Sequence, residues 1–269
     1  MILKMQNSKE ISIIIVNYRS GHYLEKCLAS VFRQIENKNF KITVVNNDES
    51  GDLSVLARNF PSIRLIEIGK NIGFGKAANL GAKNSKGNWL FFLNPDTELL
   101  SDYFKVLNNY QKNKTVGIMG PGLVDEKNRL QKWIAGSEAT FFDLIGNNLG
   151  FPRSRKVWES QEPRKAAWVS GAAMAIKRDL FEKLGGFDEN MFMYFEDIDI
   201  CKRARMAGKK VVYFPKEKIR HFGGGSRQSK KEQKKHYYES QDYYFQKHYG
   251  KTCARLVRFL RKIFTKENV

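Results

Sequence analysis

The sequence predicts an α/β fold: a Rossmann-like, mostly parallel sheet flanked by helices, followed by a helical, basic C-terminal extension. Three observations carry this. Short β-branched runs alternate with helix-spaced apolar patterns through the first hundred residues. The runs lack polar alternation, as strands buried on both faces do. Each run stops at a cluster of polar residues, where such sheets place their ligands.

Residues 11–16 (ISIIIV) read as the first strand, ending at Asn17, Tyr18, Arg19, Ser20 and Gly21. Leu24, Leu28, Val31 and Phe32 then recur with a helical period. Residues 40–45 (FKITVV) form the second strand, ending at Asn46, Asn47 and Asp48. A helix over 53–60 leads to Pro61 and a third strand at 63–68; a loop at 69–75 precedes a helix at 76–83. The fourth strand, 89–93, runs into Asn94-Pro95-Asp96-Thr97-Glu98. The fold should therefore gather Asn17, Tyr18, Asp48 and Asp96 at one edge of the sheet. Further on, a helix is expected at 103–110, a strand at 117–123 and a turn at 125–128. A strand follows at 168–176 (WVSGAAMAI), then a helix at 178–184 closed by Gly185-Gly186, and a last strand at 211–214. Residues 136–165 receive no assignment; they read as an acceptor loop or a mobile connection.

At 269 residues, 42% hydrophobic and 13% aromatic, the chain has ample core for one large domain or two small ones. Its apolar runs are far shorter than the ~20 residues of a membrane span. The first ten residues lack an apolar segment of signal-peptide length, so export by that route is not expected. Cys27, Cys201 and Cys253 show no C-x-x-C spacing, which favours reduced thiols in a cytosol and a role as core fillers. The net charge is +19, and residues 226–269 hold twelve Lys or Arg against four Asp or Glu. Such an excess attracts phosphates, whether of nucleic acid, anionic lipid or a charged small molecule. Within it, Leu256, Val257, Phe259, Leu260, Ile263 and Phe264 fall on one helical face, and Arg255, Arg258, Arg261 and Lys262 on the other. This basic amphipathic helix suits an anionic membrane surface or a dock on the protein's own body.

Two motifs invite chemistry. Gly73-Phe74-Gly75-Lys76-Ala77-Ala78 matches the dinucleotide fingerprint G-x-G-x-x-A, with Asp96 at the spacing of a ribose-binding acid. It follows the third strand rather than the first, which argues against a nicotinamide enzyme. The second is the stretch from Gly185 to His221, with Asp188, Glu196, Asp197 and Asp199 among aromatic residues. Acids in the first turn of a helix are favoured by its dipole and often only face water. Set beside Asp96 and His221, they also suit an oxygen-ligated divalent ion around a diphosphate and a carboxylate base.

IIIVNYRS, VVNNDESGD, NIGFGKAANLG, FFLNPDTEL, WVSGAAMAIKR and GGFDENMFMYFEDIDICKRARMAGKKVVYFP…RH together resemble the family 2 glycosyltransferases of GT-A fold, in particular a rhamnosyltransferase-like subgroup of cell-surface polysaccharide synthesis. The resemblance runs in order over residues 11–227. It implies an inverting transfer of a sugar from a dTDP- or UDP-linked donor to a hydroxyl of a glycan or lipid-linked acceptor. By resemblance Asn17, Tyr18 and Asp48 would hold the base, and Asn71, Gly73 and Asn79 the ribose and diphosphate. Asp96 and His221 would hold Mg or Mn. Gly171 and Trp168 would border donor and acceptor sugars, Asp197 would be the base and Glu196 would stand beside it. Residues 1–225 would form the catalytic domain, nucleotide-binding to about 100 and acceptor-binding from 101, with 226–269 as the tail. The expected location is the cytoplasm, peripheral on the inner face of the membrane. Asn94 stands where many members of this family carry an Asp, which weakens the case for tight metal binding because Asn offers only a neutral oxygen. A non-catalytic nucleotide-sugar binder or a nucleic-acid binder is the alternative; no base-stacking module supports the latter.

Overall fold

The computed structural model describes residues 11–34, 40–49, 51–224 and 229–265. The reading of the first ten residues and the expected boundary at 225/226 lie outside them. The first half follows the expected alternation: β1 (Ile11–Asn17), α1 (Gly21–Gln34), β2 (Phe40–Asn46), α2 (Ser54–Asn59), β3 (Ile63–Glu67), α3 (Phe74–Lys83) and β4 (Trp89–Leu93). Then come β5 (Thr97–Leu99), α4 (Tyr103–Asn109), β6 (Val116–Val124), β7 (Ala135–Gly136), α5 (Phe141–Asn148), α6 (Arg155–Trp158) and β8 (Arg164–Ala166). The remainder is β9 (Trp168–Val169), β10 (Ala173–Lys177), α7 (Arg178–Lys183), α8 (Glu196–Met206), β11 (Lys210–His221) and α9 (Lys230–Thr265).

The main sheet has the order β3-β2-β1-β4-β10-β6-β11-β5, with β8 on β11. Its first four strands are parallel; β10 runs antiparallel to β4 and β6, and β11 antiparallel to β5. β1 is buried along its whole length, which explains its unbroken run of apolar residues. α1 covers one region of the sheet with Leu24, Cys27, Leu28 and Val31. α3 approaches closely because residue 81 is glycine: a Cβ there would lie 2.6 Å from Ile14 Cγ2 and 3.0 Å from Val45 Cγ2.

Four expectations change. Residues 136–165 fold into α5 and α6, and α5 starts at a capping box in which Thr140 and Asp143 satisfy each other's backbone N–H groups. The strand expected at 168–176 breaks at Ser170–Ala172 into β9, paired with β7, and β10, paired with β4. β11 does not stop at Phe214; after an irregularity between Phe214 and Lys218 it resumes against β5 and carries His221 into the sheet. α3 begins two residues earlier than expected.

α9 turns at Gly250, whose φ of 88° a side chain would resist. Its first arm buries Tyr244 and Phe245, and its second Ala254 and Val257, in a smaller core with Met191 and Phe195. The apolar face read from sequence therefore divides. Val257 is buried, while Leu256, Phe259 and Ile263 are exposed. Arg261 is not on a solvent face: it bonds Gln241 at 2.9 Å and lies 4.1 Å from the centre of the Tyr238 ring.

Candidate active site

Strand register builds the site. β4 pairs with β10 so that Leu93 faces Ala173, and the Asn94 N–H donates to the Ala172 carbonyl at 2.9 Å. The break before β10 thus lies opposite Asn94-Pro95-Asp96. On the other side, the β5–β11 register sets His221 against Thr97. His221 Nε2 comes 3.5 Å from Asp96 Oδ1. A continuous cleft of about 810 Å³ contains Tyr18, Asn71, Asn94, Asp96, Trp168, Gly171, Glu196, Asp197 and His221 in its lining.

The catalytic-looking acids sit where α8 begins. Phe195, the residue before the helix, has φ 65°, and Tyr194 φ 69°. Left-handed backbone at two successive bulky residues is strained and needs surrounding structure to hold it. That support comes from α9: Phe195 packs on Tyr244 at 5.4 Å and Tyr194 on Tyr237 at 5.8 Å. Asp197 Oδ2 accepts the Gly171 N–H at 2.8 Å, and Oδ1 the Ile198 N–H at 2.8 Å. Loss of solvent pushes the Asp197 carboxyl above its ordinary value, against the opposing N–H groups. Burial, then the charge of Asp197, pushes Glu196 up to about 8. Glu196 Oε2 is buried without a hydrogen-bond partner. Burial and the neighbouring carboxylate therefore favour a proton on Glu196 at neutral pH.

The other two acids are structural. Asp199 is fully buried and pairs with Arg203, Lys247 and His248 at 2.6 to 2.7 Å. Burial opposes ionisation of Asp188, yet Lys247 and Asn190 bring its carboxyl down to about 2.

His221 exchanges bonds with Gln131: its carbonyl accepts from Gln131 Nε2 at 2.7 Å, and Nδ1 lies 3.0 Å from Gln131 Oε1. An Nδ1–H donated to that oxygen leaves the Nε2 lone pair directed to Asp96, the usual arrangement for a metal-ligating histidine. Among the described residues no group of three or more His, Cys, Asp or Glu could hold a metal ion. The pair fits a divalent ion only if phosphate oxygens and water complete its shell.

The nucleotide-side residues fare unevenly. Tyr18, under the Arg19 guanidinium at 5.1 Å, and Asn71 line the cleft. Asn17 and Asp48 lie beneath, donating to Asn46 and accepting from the Arg19 N–H. Gly73 meets protein: a Cβ would lie 2.7 Å from the Phe192 carbonyl, which also accepts the Phe74 N–H. The G-x-G-x-x-A turn thus packs against a neighbouring loop. Asn79 bonds Phe187 through both amide atoms, tying α3 to the turn before α8. Sequence reading passed over Asn47, which fixes the loop by bonding Asn71 and the Ile72 N–H. It also passed over Glu138, a cleft residue paired with Lys202 and Arg205, because its segment had no assignment.

A family profile described as "Glycosyl transferase family 2" matches residues 12–185. N-acetylglucosaminyl-diphospho-decaprenol L-rhamnosyltransferase of Mycobacterium tuberculosis (strain ATCC 25618 / H37Rv) is 27% identical over 231 residues, 78% of this chain and 75% of its own length. Rhamnosyltransferase WbbL of Escherichia coli (strain K12) is 27% identical over 222 residues, 79% and 83% respectively. Among solved structures, GalNAc-T7 with UDP, GalNAc and Mn2+ is similar at TM-score 0.62 and 16% identity, over 89% of this chain and 50% of that one. Mannosyltransferase PcManGT from Pyrobaculum calidifontis, with GDP-Man and Mn2+, follows at TM-score 0.55 and 18% identity, over 80% and 57%. These likenesses show the fold, and this chain spans about half the length of those two proteins.

The raised Glu196 carboxyl has a measurable consequence. The folded chain binds its proton more tightly than the unfolded chain does, so the associated stability falls as pH rises from about 4.5 to about 8. Glu196→Gln removes that dependence. Its melting temperature should match the native protein's near pH 4.5 and exceed it increasingly towards pH 8, as read by thermal unfolding across pH. An offset independent of pH would contradict the assignment.

Proposed function

Because the chain belongs to glycosyl transferase family 2, we propose that this glycosyltransferase moves L-rhamnose from a dTDP- or UDP-linked donor to a hydroxyl of a glycan or lipid-linked acceptor, with inversion, in cell-surface polysaccharide synthesis. The rhamnose-transferring relatives support the choice of sugar. One observation carries the reaction: the Asp197 carboxylate, held by the Gly171 N–H, shares a cleft with the Asp96–His221 pair.

In this reading the nucleoside lies against Tyr18 and Asn71, on the loop that Asn17, Asp48 and Gly73 shape. Asn79 serves as a strut. The diphosphate sits at Asp96 and His221, where a bound divalent ion, Mg or Mn, would offset the charge developing on the leaving group. Trp168 and Gly171 border the sugars. Asp197 takes the proton of the acceptor hydroxyl, and that oxygen bonds to the anomeric carbon as the carbon–oxygen bond to the diphosphate breaks. The diphosphate leaves with the electron pair, and configuration inverts. Glu196, protonated, donates a hydrogen bond into the cleft without adding a second negative charge beside the base.

Among the described residues no helix is long and apolar enough to cross a membrane. We place the protein in the cytoplasm, on the inner membrane face, held through exposed Leu256, Phe259 and Ile263 beside Arg255 and Arg258.

Asp197→Asn should lower kcat by about 10²–10⁴-fold while nucleoside-diphosphate affinity stays within twofold. Steady-state transfer and equilibrium binding read the two effects, and undiminished turnover would remove Asp197 as base. EDTA should suppress transfer and Mn or Mg restore it; indifference to chelator would shift leaving-group stabilisation to Lys or Arg. The full chain should co-sediment with phosphatidylglycerol vesicles at physiological salt. Absence from the pellet would reject the membrane placement.

A further inference from the structure

Trp133 is a bulky residue held where bulky residues rarely sit. Its φ is 60°, in the left-handed region, and the residue is 44% exposed. Burial therefore does not account for the side chain. Such strain persists only where surrounding structure imposes it, and it clusters where ligands are held. Here the surrounding structure is the site itself. Two residues earlier, Gln131 holds His221 through both of its amide atoms. One residue later, the Ile134 carbonyl accepts the Ser170 N–H at 2.8 Å. Gly171 follows, with the N–H that binds Asp197. The segment thus ties the His221 side of the cleft to the Asp197 side. Trp133 belongs to the cleft lining and lies between the two ties along the chain. Its ring rests against that of Trp158, only 3% exposed, with ring centres 4.9 Å apart and planes tilted by 54°. Trp158 is itself fixed, its carbonyl accepting from the Tyr213 hydroxyl at 3.2 Å.

We propose that the Trp133 ring stacks on the sugar being transferred, covering the C–H face of its pyranose ring. In an in-line displacement that sugar lies between the diphosphate and the base, the two groups whose holders the segment ties together. Pyranose C–H groups carry slight positive charge and the face of the indole slight negative charge, so their contact is favourable without a hydrogen bond. A ring held rigidly by Trp158 also orients the anomeric carbon for attack. The inference rests on the transfer reading above and adds to it a residue that distinguishes the nucleotide sugar from the bare nucleoside diphosphate.

The test is calorimetric titration of the full chain, with Mn, using dTDP-L-rhamnose against dTDP and UDP-glucose against UDP. For whichever nucleotide sugar the native chain binds, Trp133→Ala should weaken binding about tenfold and change affinity for the matching nucleoside diphosphate by less than about twofold. Trp133→Phe keeps an aromatic face and should stay within about threefold of the native affinity. Trp133→Gly removes the ring and suits the left-handed backbone, so it reads the same outcome if the alanine variant is unstable. Equal weakening of the nucleotide sugar and the nucleoside diphosphate overturns the proposal and leaves Trp133 as scaffold. Slower transfer with unchanged nucleotide-sugar binding also overturns it and assigns the ring to the acceptor. Failure of the native chain to bind any of the four nucleotides would count against the glycosyltransferase reading instead, so the two failures are distinguishable.

Discussion

The hydrogen bond from the Gly171 N–H to Asp197, at 2.8 Å, joins the parts on which the site depends. It requires the chain to leave the β9 pairing and enter the β10 pairing between Val169 and Ala173. It also requires little bulk at 171, where a Cβ would stand 3.3 Å from that of Asp197. At its other end, α8 must begin immediately after a left-handed pair, Tyr194 and Phe195. Residues held in such conformations cost on the order of 1–3 kcal/mol each and persist only when packing overdetermines them. The tyrosines of α9 provide that packing. The helix described from sequence as a tail thus helps hold the Asp197 carboxylate in place.

The same stretch shows how neighbouring acids acquire different roles. Asp188 and Asp199 face Lys247, Arg203 and His248, and their charges are matched inside the protein. Glu196 and Asp197 point into the cleft, where no described cation pairs with them by a salt bridge. Desolvation therefore outweighs the backbone N–H bonds to that pair, and a proton is favoured on Glu196. Acids two residues apart on one helix differ because α9 meets one side of it and the cleft the other.

Much of the parallel half of the sheet was legible in the sequence. The apolar runs before Asn17, Asn46 and Asn94 have only one buried solution, and parallel pairing places their ends together. The helix dipole that favours acids in this first turn was visible too; burial, which pushes Asp197 the other way, required the fold. The rest depended on long-range pairing. Nothing local announces that 168–176 breaks, since its small residues serve a continuous strand equally well; its partners, Ala135–Gly136 and Leu93, decide. Asn79, which the resemblance sets at the ribose and diphosphate, bonds Phe187, a partner 108 residues away that no local pattern announces. The stripe at 255–264 read as one face, whereas the close approach of α5 selects Val257 and leaves Leu256 in solvent.

The position of α9 also bears on how the molecule comes into being. One edge of the cleft is made by residues emerging early in synthesis, Tyr18 to Asp96, but another wall waits for Tyr237 to Phe264. Contacts of such separation form late, because loop closure must precede any gain from packing. A nascent chain would therefore hold the edge from Tyr18 to Asp96 open to water before the left-handed turn is clamped and Asp197 is aligned.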